Sequence, residues 1–115
     1  MSEWIEIGKL EDIPRRGARV LKTAGGDIAV FRSADDRVFA LDDSCPHQGG
    51  PLSQGIIHGW KVTCPLHNWI IELASGKAVA PDQGGAGKYP VRIKDGVISL
   101  QLAKSLVTQS HLKVV

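Results

Sequence analysis

Hydrophobic residues along the chain recur in short runs, and turn-forming residues such as Gly25-Gly26 and Ser75-Gly76 separate many of them. Short runs rich in β-branched and aromatic residues, bounded by Gly, Asp and Ser, are typical of β-strands. The sequence therefore predicts an all-β fold. The predicted strands are 4–7, 18–23, 27–31, 37–41, 55–57, 61–63, 69–72, 77–80, 89–94 and 97–102.

The clearest turn signal is Asp95-Gly96 near the end of the predicted strands. Asp-Gly is typical of a two-residue hairpin turn, because both central residues must take positive φ. A turn at this point fixes which residues lie opposite one another on the two strands. The predicted apolar face pairs Ile93 with Ile98 and Val91 with Leu100.

Size and charge narrow the class of protein. At 115 residues and 12.4 kDa the chain has the length of one domain, long enough to bury on the order of 65% of its unfolded surface. The net charge is +2 and the basic residues are spread along the chain, so neither nucleic-acid nor membrane binding is expected. The apolar runs are too short to cross a bilayer, and residues 1–6 do not resemble a signal peptide. We therefore expect a cytoplasmic protein.

Two cysteines carry the candidate chemistry, and each is followed by a proline and then by a histidine. The motifs are Cys45-Pro46-His47 and Cys64-Pro65-Leu66-His67, and a predicted hairpin over 55–63 returns the chain from the first motif to the second. Two thiolates and two imidazoles best fit a [2Fe-2S] cluster in which histidines replace two of the four usual thiolates. The predicted ligands are Cys45, His47, Cys64 and His67, with the ligand loops at 42–52 and 64–68 and the cluster-binding part at about 43–70.

Other interpretations of the site remain open from the residues alone. A zinc site would use the same ligand types, but zinc-binding pairs usually bring two cysteines together and two histidines together. The glycine-rich segment 81–88 either covers the cluster or connects strands at the surface. Gly49 and Gly50 either let backbone N–H groups approach the sulfides or serve as turn residues.

The remaining polar and aromatic residues indicate no catalytic machinery. His58 and His111 are interpreted as surface histidines. Trp60 and Trp69 flank the second loop and are expected to pack in the core. Arg15, Arg16 and Arg19 are expected to form a solvated face rather than a docking patch. No nucleophile with a neighbouring base and no phosphate-binding loop is visible, so no catalytic residue is predicted.

The sequences of both loops resemble those of the Rieske ferredoxin family, and the resemblance extends over about residues 4–102. In detail, residues 45–55 followed by 64–69 are most similar to the small subunit of assimilatory NAD(P)H-dependent nitrite reductase. The resemblance implies a Rieske-type antiparallel β-sheet sandwich, with the two cysteines on one iron and the two histidines on the outer iron. It also implies a single domain over 1–102 with an unassigned tail at 103–115.

The same resemblance implies a partner. In this family the small subunit accompanies a large subunit that carries flavin, an iron-sulfur cluster and sirohaem and reduces nitrite to ammonium. Two alternatives stay open: a separate ferredoxin that delivers electrons to an aromatic-ring-hydroxylating dioxygenase or related oxygenase, and an accessory domain whose cluster only stabilises the fold. The complete ligand set favours electron transfer.

Sequence differences from respiratory Rieske proteins affect the predicted reduction potential of the cluster. Those proteins have a disulfide cysteine in each loop and a Ser and a Tyr that donate hydrogen bonds to the cluster. Here Gly50 and Leu66 stand at the cysteine positions, and Trp69 and Ile71 at the Ser and Tyr positions. Fewer hydrogen bonds to sulfur predict a reduction potential near the low end of the Rieske range, about −150 mV.

Overall fold

A computed structural model of the chain describes residues 2–24, 26–45, 50–65, 68–79, 84–103 and 113–114. Short 3-10 turns at Leu10–Asp12 and Leu52–Gln54 accompany the strands. The strands are β1 (Ser2–Lys9), β2 (Gly17–Thr23), β3 (Gly26–Arg32), β4 (Val38–Asp42), β5 (Ile56–His58), β6 (Lys61–Thr63), β7 (Ile70–Glu72), β8 (Lys88–Tyr89), β9 (Val91–Lys94), β10 (Val97–Ala103) and β11 (Lys113–Val114).

The strands form three antiparallel sheets. The central sheet has five strands in the order β11-β2-β3-β4-β8. The terminal sheet has the order β1-β10-β9, and the small sheet has the order β5-β6-β7. The all-β, antiparallel fold predicted from the sequence is confirmed.

The central sheet is buried on both faces. Along β3 the four residues Ile28, Ala29, Val30 and Phe31 are all at most 2% exposed, because alternate side chains of a strand point to opposite faces. Ile28 and Val30 pack towards the terminal sheet, in the distal core: Ile7, Ile13, Leu21, Ile28, Val30, Ala40, Ile98, Leu100 and Leu102. Ala29 and Phe31 pack towards the small sheet, in the thiol core: Ala18, Ala29, Phe31, Leu41, Cys45, Leu52, Ile57, Val62, Cys64, Ile71 and Leu73.

The hairpin of β9 and β10 has the predicted turn and register. Asp95 and Gly96 take φ values of 52° and 76°, the left-handed region that this turn requires. The predicted pairs Ile93 with Ile98 and Val91 with Leu100 are present. However, Ile93 is 40% exposed while its partner is buried, because β9 is the outer strand of its sheet.

The prediction of one strand over 89–94 is wrong. Pro90 interrupts it and leaves β8, which pairs with β4 in the central sheet, and β9, which pairs with β10 in the terminal sheet. Proline has no N–H to donate to a strand ladder, so it separates strands more readily than it continues one. The chain therefore crosses from one sheet to another at this residue.

The predicted strand at 77–80 is also wrong for its described part. Lys77 and Ala78 make isolated bridges, to Gly85 and Ile71, instead of a continuous ladder. The Ala78 N–H donates to the Gly84 carbonyl at 2.9 Å, and the Ala86 N–H donates to the Gly76 carbonyl at 2.7 Å. Residues 84–86 of the glycine-rich segment are thus held against 76–78 by backbone hydrogen bonds.

The tail contributes a strand that the sequence analysis left unassigned. In β11, Lys113 and Val114 pair with Val20 and Arg19 at the edge of the central sheet. The division into a domain over 1–102 and a tail over 103–115 remains a prediction. Among the described residues, no helix is long and apolar enough to span a bilayer.

Candidate metal centre

The first predicted thiol ligand, Cys45, lies just after β4 and is 2% exposed. Its backbone N–H donates to the carbonyl oxygen of Gly50 at 2.7 Å. This bond joins a residue to the fifth residue after it and so connects the two ends of segment 46–49. The predicted ligand His47 belongs to the segment that the bond encloses, but it lies outside the described residues.

The second predicted thiol ligand, Cys64, follows β6 and is fully buried. Its N–H donates to the carbonyl oxygen of Trp69 at 2.6 Å, which again joins residues five apart. Asn68 has φ 58°, a left-handed conformation that asparagine tolerates better than most residues. The predicted ligand His67 belongs to the enclosed segment and lies outside the described residues.

Both cysteines belong to the thiol core, although they follow strands of different sheets. The described part of the chain therefore contains two of the four predicted ligands, and within it no group of three His, Cys, Asp or Glu side chains is placed to hold a metal. The identity of all four ligands remains a prediction.

The two ligand loops differ in what closes their bases. The second loop lies between β6 and β7, which pair with each other, and the pair Thr63 and Ile70 stands directly at its base. The first loop connects β4 in the central sheet with β5 in the small sheet, and these two strands do not pair. Strand pairing therefore closes the base of the second loop and is absent from the base of the first.

A carboxylate closes the base of the first loop. Asp43 accepts hydrogen bonds from the Ser53 N–H through Oδ1 and from the Ser53 Oγ–H through Oδ2, both at 2.7 Å. The Asp43 N–H donates to the carbonyl of Asp27 on β3 at 3.0 Å. The sequence analysis missed this contact. The local sequence shows only a carboxylate before Cys45 and a Ser in the 3-10 turn at the end of the loop, which does not specify a contact between them.

A second carboxylate connects the first loop to β8. The hydroxyl of Tyr89 donates to Oδ1 of Asp42, and the Asp42 N–H donates to the Gly87 carbonyl at 2.7 Å. Burial of the phenol raises the pKa of Tyr89 to about 12, and the hydrogen bond to Asp42 adds to the shift. A Cβ at Gly87 would lie 2.5 Å from Oδ2 of Asp42, so a larger residue there would displace this carboxylate.

The aromatic residues near the second loop have different environments. Trp69 is partly buried against the thiol core, in line with the expected core packing. Trp60 is 43% exposed, contrary to that expectation. Its ring lies 4.4 Å from the Arg37 guanidinium, and its Nε1–H donates to Asp35 at 3.2 Å. Hydrogen bonds from Ser33 and then from Trp60 lower the pKa of Asp35.

Among the remaining polar candidates, Arg15 and Arg16 are exposed as expected, whereas Arg19 is half-buried. His58 is exposed, and its Nε2 lies 2.8 Å from Oγ1 of Thr63. His111 lies outside the described residues. Arg15 and Arg32 bind Asp36, and their hydrogen bonds lower the pKa of this carboxyl to about 2.

Charged residues are absent from the sequence of both loops beyond the two aspartates at the base of the first. No Asp, Glu, Lys or Arg occurs in 44–57 or in 62–71. The thiols therefore lie in an apolar core, and the loop sequences that follow them carry no charge. Two buried sulfur donors, with a histidine in each enclosed segment, fit the mixed thiolate and imidazole coordination of a [2Fe-2S] cluster.

Comparisons with known proteins agree with this chemistry. A family model described as Rieske [2Fe-2S] domain matches residues 3–90. The ferredoxin component of the naphthalene 1,2-dioxygenase/salicylate 5-hydroxylase systems of a Ralstonia species is 30% identical over 100 residues, covering 86% of this chain and 95% of that protein. A cholesterol 7-desaturase of Hemicentrotus pulcherrimus is 31% identical over 79% of this chain, which spans 20% of the desaturase.

Solved structures are similar over nearly the whole chain. The Escherichia coli protein NirD superposes with a TM-score of 0.77 and is 29% identical, covering 90% of this chain and 100% of NirD. Fold and loops together define an iron-sulfur protein of the β class. The chain belongs to the Rieske [2Fe-2S] domain family: it is an electron-transfer protein whose cofactor is a Rieske-type cluster. The zinc alternative is not supported.

Proposed function

We propose that Cys45, His47, Cys64 and His67 hold the cluster and that the protein passes single electrons to a larger enzyme. The observation that carries this proposal is the matching closure of the two loops, in which each buried cysteine donates its N–H to the residue five positions later. Each closure encloses one histidine in sequence.

The chain's own residues contribute binding, orientation and exclusion of water. When bound, a Rieske cluster takes up and releases one electron. Cys45 and Cys64 would act as thiolates from within an apolar core, which limits the access of water to the sulfur ligands. The hydrogen bonds at the bases of the loops keep these donors in fixed positions, and no substrate pocket is required of an electron carrier.

We further propose that the partner is the large subunit of a cytoplasmic NAD(P)H-dependent nitrite reductase. The loop sequences resemble those of nitrite reductase small subunits. The similar structures include NirD, which is one of these small subunits. The superposed part spans all of NirD and 90% of this chain.

A second candidate is a ferredoxin of an oxygenase system. The favouring observation is that several relatives of matching length are ferredoxin components of dioxygenases, including the anthranilate 1,2-dioxygenase ferredoxin subunit of Burkholderia cepacia, 31% identical over 89% of this chain and 94% of that protein. The two candidates share one electron-transfer mechanism and differ in the acceptor.

The test replaces one predicted ligand and follows the partner. His67→Ala is compared with His58→Ala, a matched control because His58 is exposed and is not a predicted ligand. With the candidate large subunit, we expect His67→Ala to abolish NAD(P)H-dependent nitrite reduction while the complex still co-purifies, and His58→Ala to retain it. Retained activity in His67→Ala would support the accessory-domain alternative. No complex with the large subunit, but electron transfer to an oxygenase, would favour the second candidate.

The reduction potential offers an independent measurement. Neither Trp69 nor Ile71 carries a hydroxyl at the positions where respiratory Rieske proteins have Ser and Tyr. We expect a midpoint near the low end of the Rieske range, about −150 mV, by redox titration followed with EPR. A midpoint well above zero would contradict this expectation.

A further inference from the structure

The first ligand loop lacks the strand pairing that closes the second. Its flanking strands β4 and β5 belong to different sheets, so no backbone ladder limits the separation of its ends. By contrast, Thr63 and Ile70 are paired at the base of the second loop. Two loops that hold one cluster need comparable rigidity, because a displaced ligand weakens the whole coordination.

The contact between Asp43 and Ser53 lies where the ladder is missing. Both carboxylate oxygens of Asp43 accept from Ser53, one from the backbone N–H and one from the hydroxyl, at 2.7 Å each. Ser53 is 8% exposed, so water competes little for its groups. Hydrogen bonds to an ionised carboxylate are about twice as strong as those between neutral groups.

Further bonds fix both partners to the protein. The Asp43 N–H donates to Asp27 on the central sheet, and the Ser53 residue lies in a 3-10 turn closed by the bond from the Gly55 N–H to the Leu52 carbonyl at 2.9 Å. The side-chain contact therefore ties the central sheet to the entrance of the small sheet across the loop that contains Cys45.

We propose that Asp43 is the positioning residue of the first ligand loop and that its carboxylate replaces strand pairing in holding Cys45 in place. The proposal rests on the ligand assignment made above. Asp43 is not itself a predicted ligand; it acts through Ser53 and the backbone on either side of the loop.

Hydrogen exchange of the iron-loaded protein tests the proposal loop by loop. In Asp43→Ala, we expect exchange in a peptide spanning 44–55 to accelerate roughly ten- to a hundredfold, the factor expected for loss of charged hydrogen bonds. Exchange in a peptide spanning 62–72 is expected to stay unchanged. The rate of iron release to a chelator, followed by bleaching of the visible absorption, should rise with the first peptide. A purely structural role would accelerate both peptides.

Milder variants keep the test informative if Asp43→Ala does not fold. Ser53→Ala removes one of the two bonds, and Asp43→Asn retains the shape with neutral bonds, so both should give smaller effects in the same loop. Asp36→Asn is the matched control, because Asp36 also binds two partners but lies at the opposite end of the strands β3 and β4. It should leave exchange in 44–55 and iron release unchanged.

The outcomes separate this proposal from the ligand assignment. The positioning role would be overturned if every Asp43 and Ser53 variant accelerated exchange equally in both peptides, or if none changed exchange in either peptide. Full iron content in Cys45→Ser would instead overturn the ligand assignment, whatever the Asp43 variants show.

Discussion

The two faces of the central sheet bury cores of different kinds. The distal core consists of aliphatic side chains, contributed with the terminal sheet, and is complete from the chain alone. The thiol core includes Cys45 and Cys64 and receives the ends of both ligand loops. The proposed ligand assignment therefore gives the two faces separate roles: one holds the fold together, and the other supplies ligands to the cofactor.

The strongest test of this comparison removes one thiol. In Cys64→Ser we expect complete loss of bound iron and of the visible absorption, because one predicted ligand is lost from a buried position. Hydrogen exchange of β1 and β10, which border the distal core, should remain slow. Loss of protection in both regions would show that the two cores unfold together, and full iron content would contradict the ligand assignment.

Truncation of one leucine in each core sharpens the comparison. Leu100→Ala in the distal core and Leu73→Ala in the thiol core should each lower the free energy of unfolding by about 2–5 kcal/mol, measured with urea, since both side chains are fully buried. Only Leu73→Ala should also speed iron release under native conditions. Equal release rates in the two variants would contradict a separate role for the thiol core.

The last hairpin and the two cysteine loops were predictable from local sequence. Asp95-Gly96 determines the register by its turn geometry, and the spacing of Cys and His identifies the loops. The Asp43–Ser53 contact was not predictable, because it depends on how two sheets are placed relative to each other. Pro90 itself was a local signal for a break between two strands. The apolar residues on either side of it suggested one continuous strand instead.

Tyr89 connects the distal core to the base of the first ligand loop, and this contact gives a smaller, pH-dependent effect. Its ring packs against the distal core, and its hydroxyl donates to Asp42 at the base of the first loop. Its folded pKa of about 12 exceeds the ordinary value of about 10. The resulting stabilisation is present below pH 10 and is lost as the pH rises through 12. We expect the denaturation midpoint of Tyr89→Phe to depend less on pH across this range than that of the unchanged protein. The same pH dependence in both proteins would exclude Tyr89 as its source.

The smallest effect is expected at the end of the central sheet away from the loops. Asp36, held by Arg15 and Arg32, has a folded pKa of about 2, below the ordinary value of about 3.9. This stabilisation is present above pH 4 and is lost as the pH falls through 2. Asp36→Asn should therefore reduce the acid dependence of thermal unfolding and leave iron release at neutral pH unchanged. Faster release would mean that the two ends of β3 and β4 are coupled.

The unequal placement of the tryptophans gives the protein a built-in optical reporter. Trp69 packs against the thiol core, whereas Trp4 is 39% exposed on the terminal sheet, with the Arg92 guanidinium 4.5 Å from its ring. Energy transfer to an iron chromophore falls steeply with distance, so fluorescence from Trp69 should be quenched far more than fluorescence from Trp4. Recovery of Trp69 fluorescence would then report loss of the cofactor from the thiol core while the distal core is still folded.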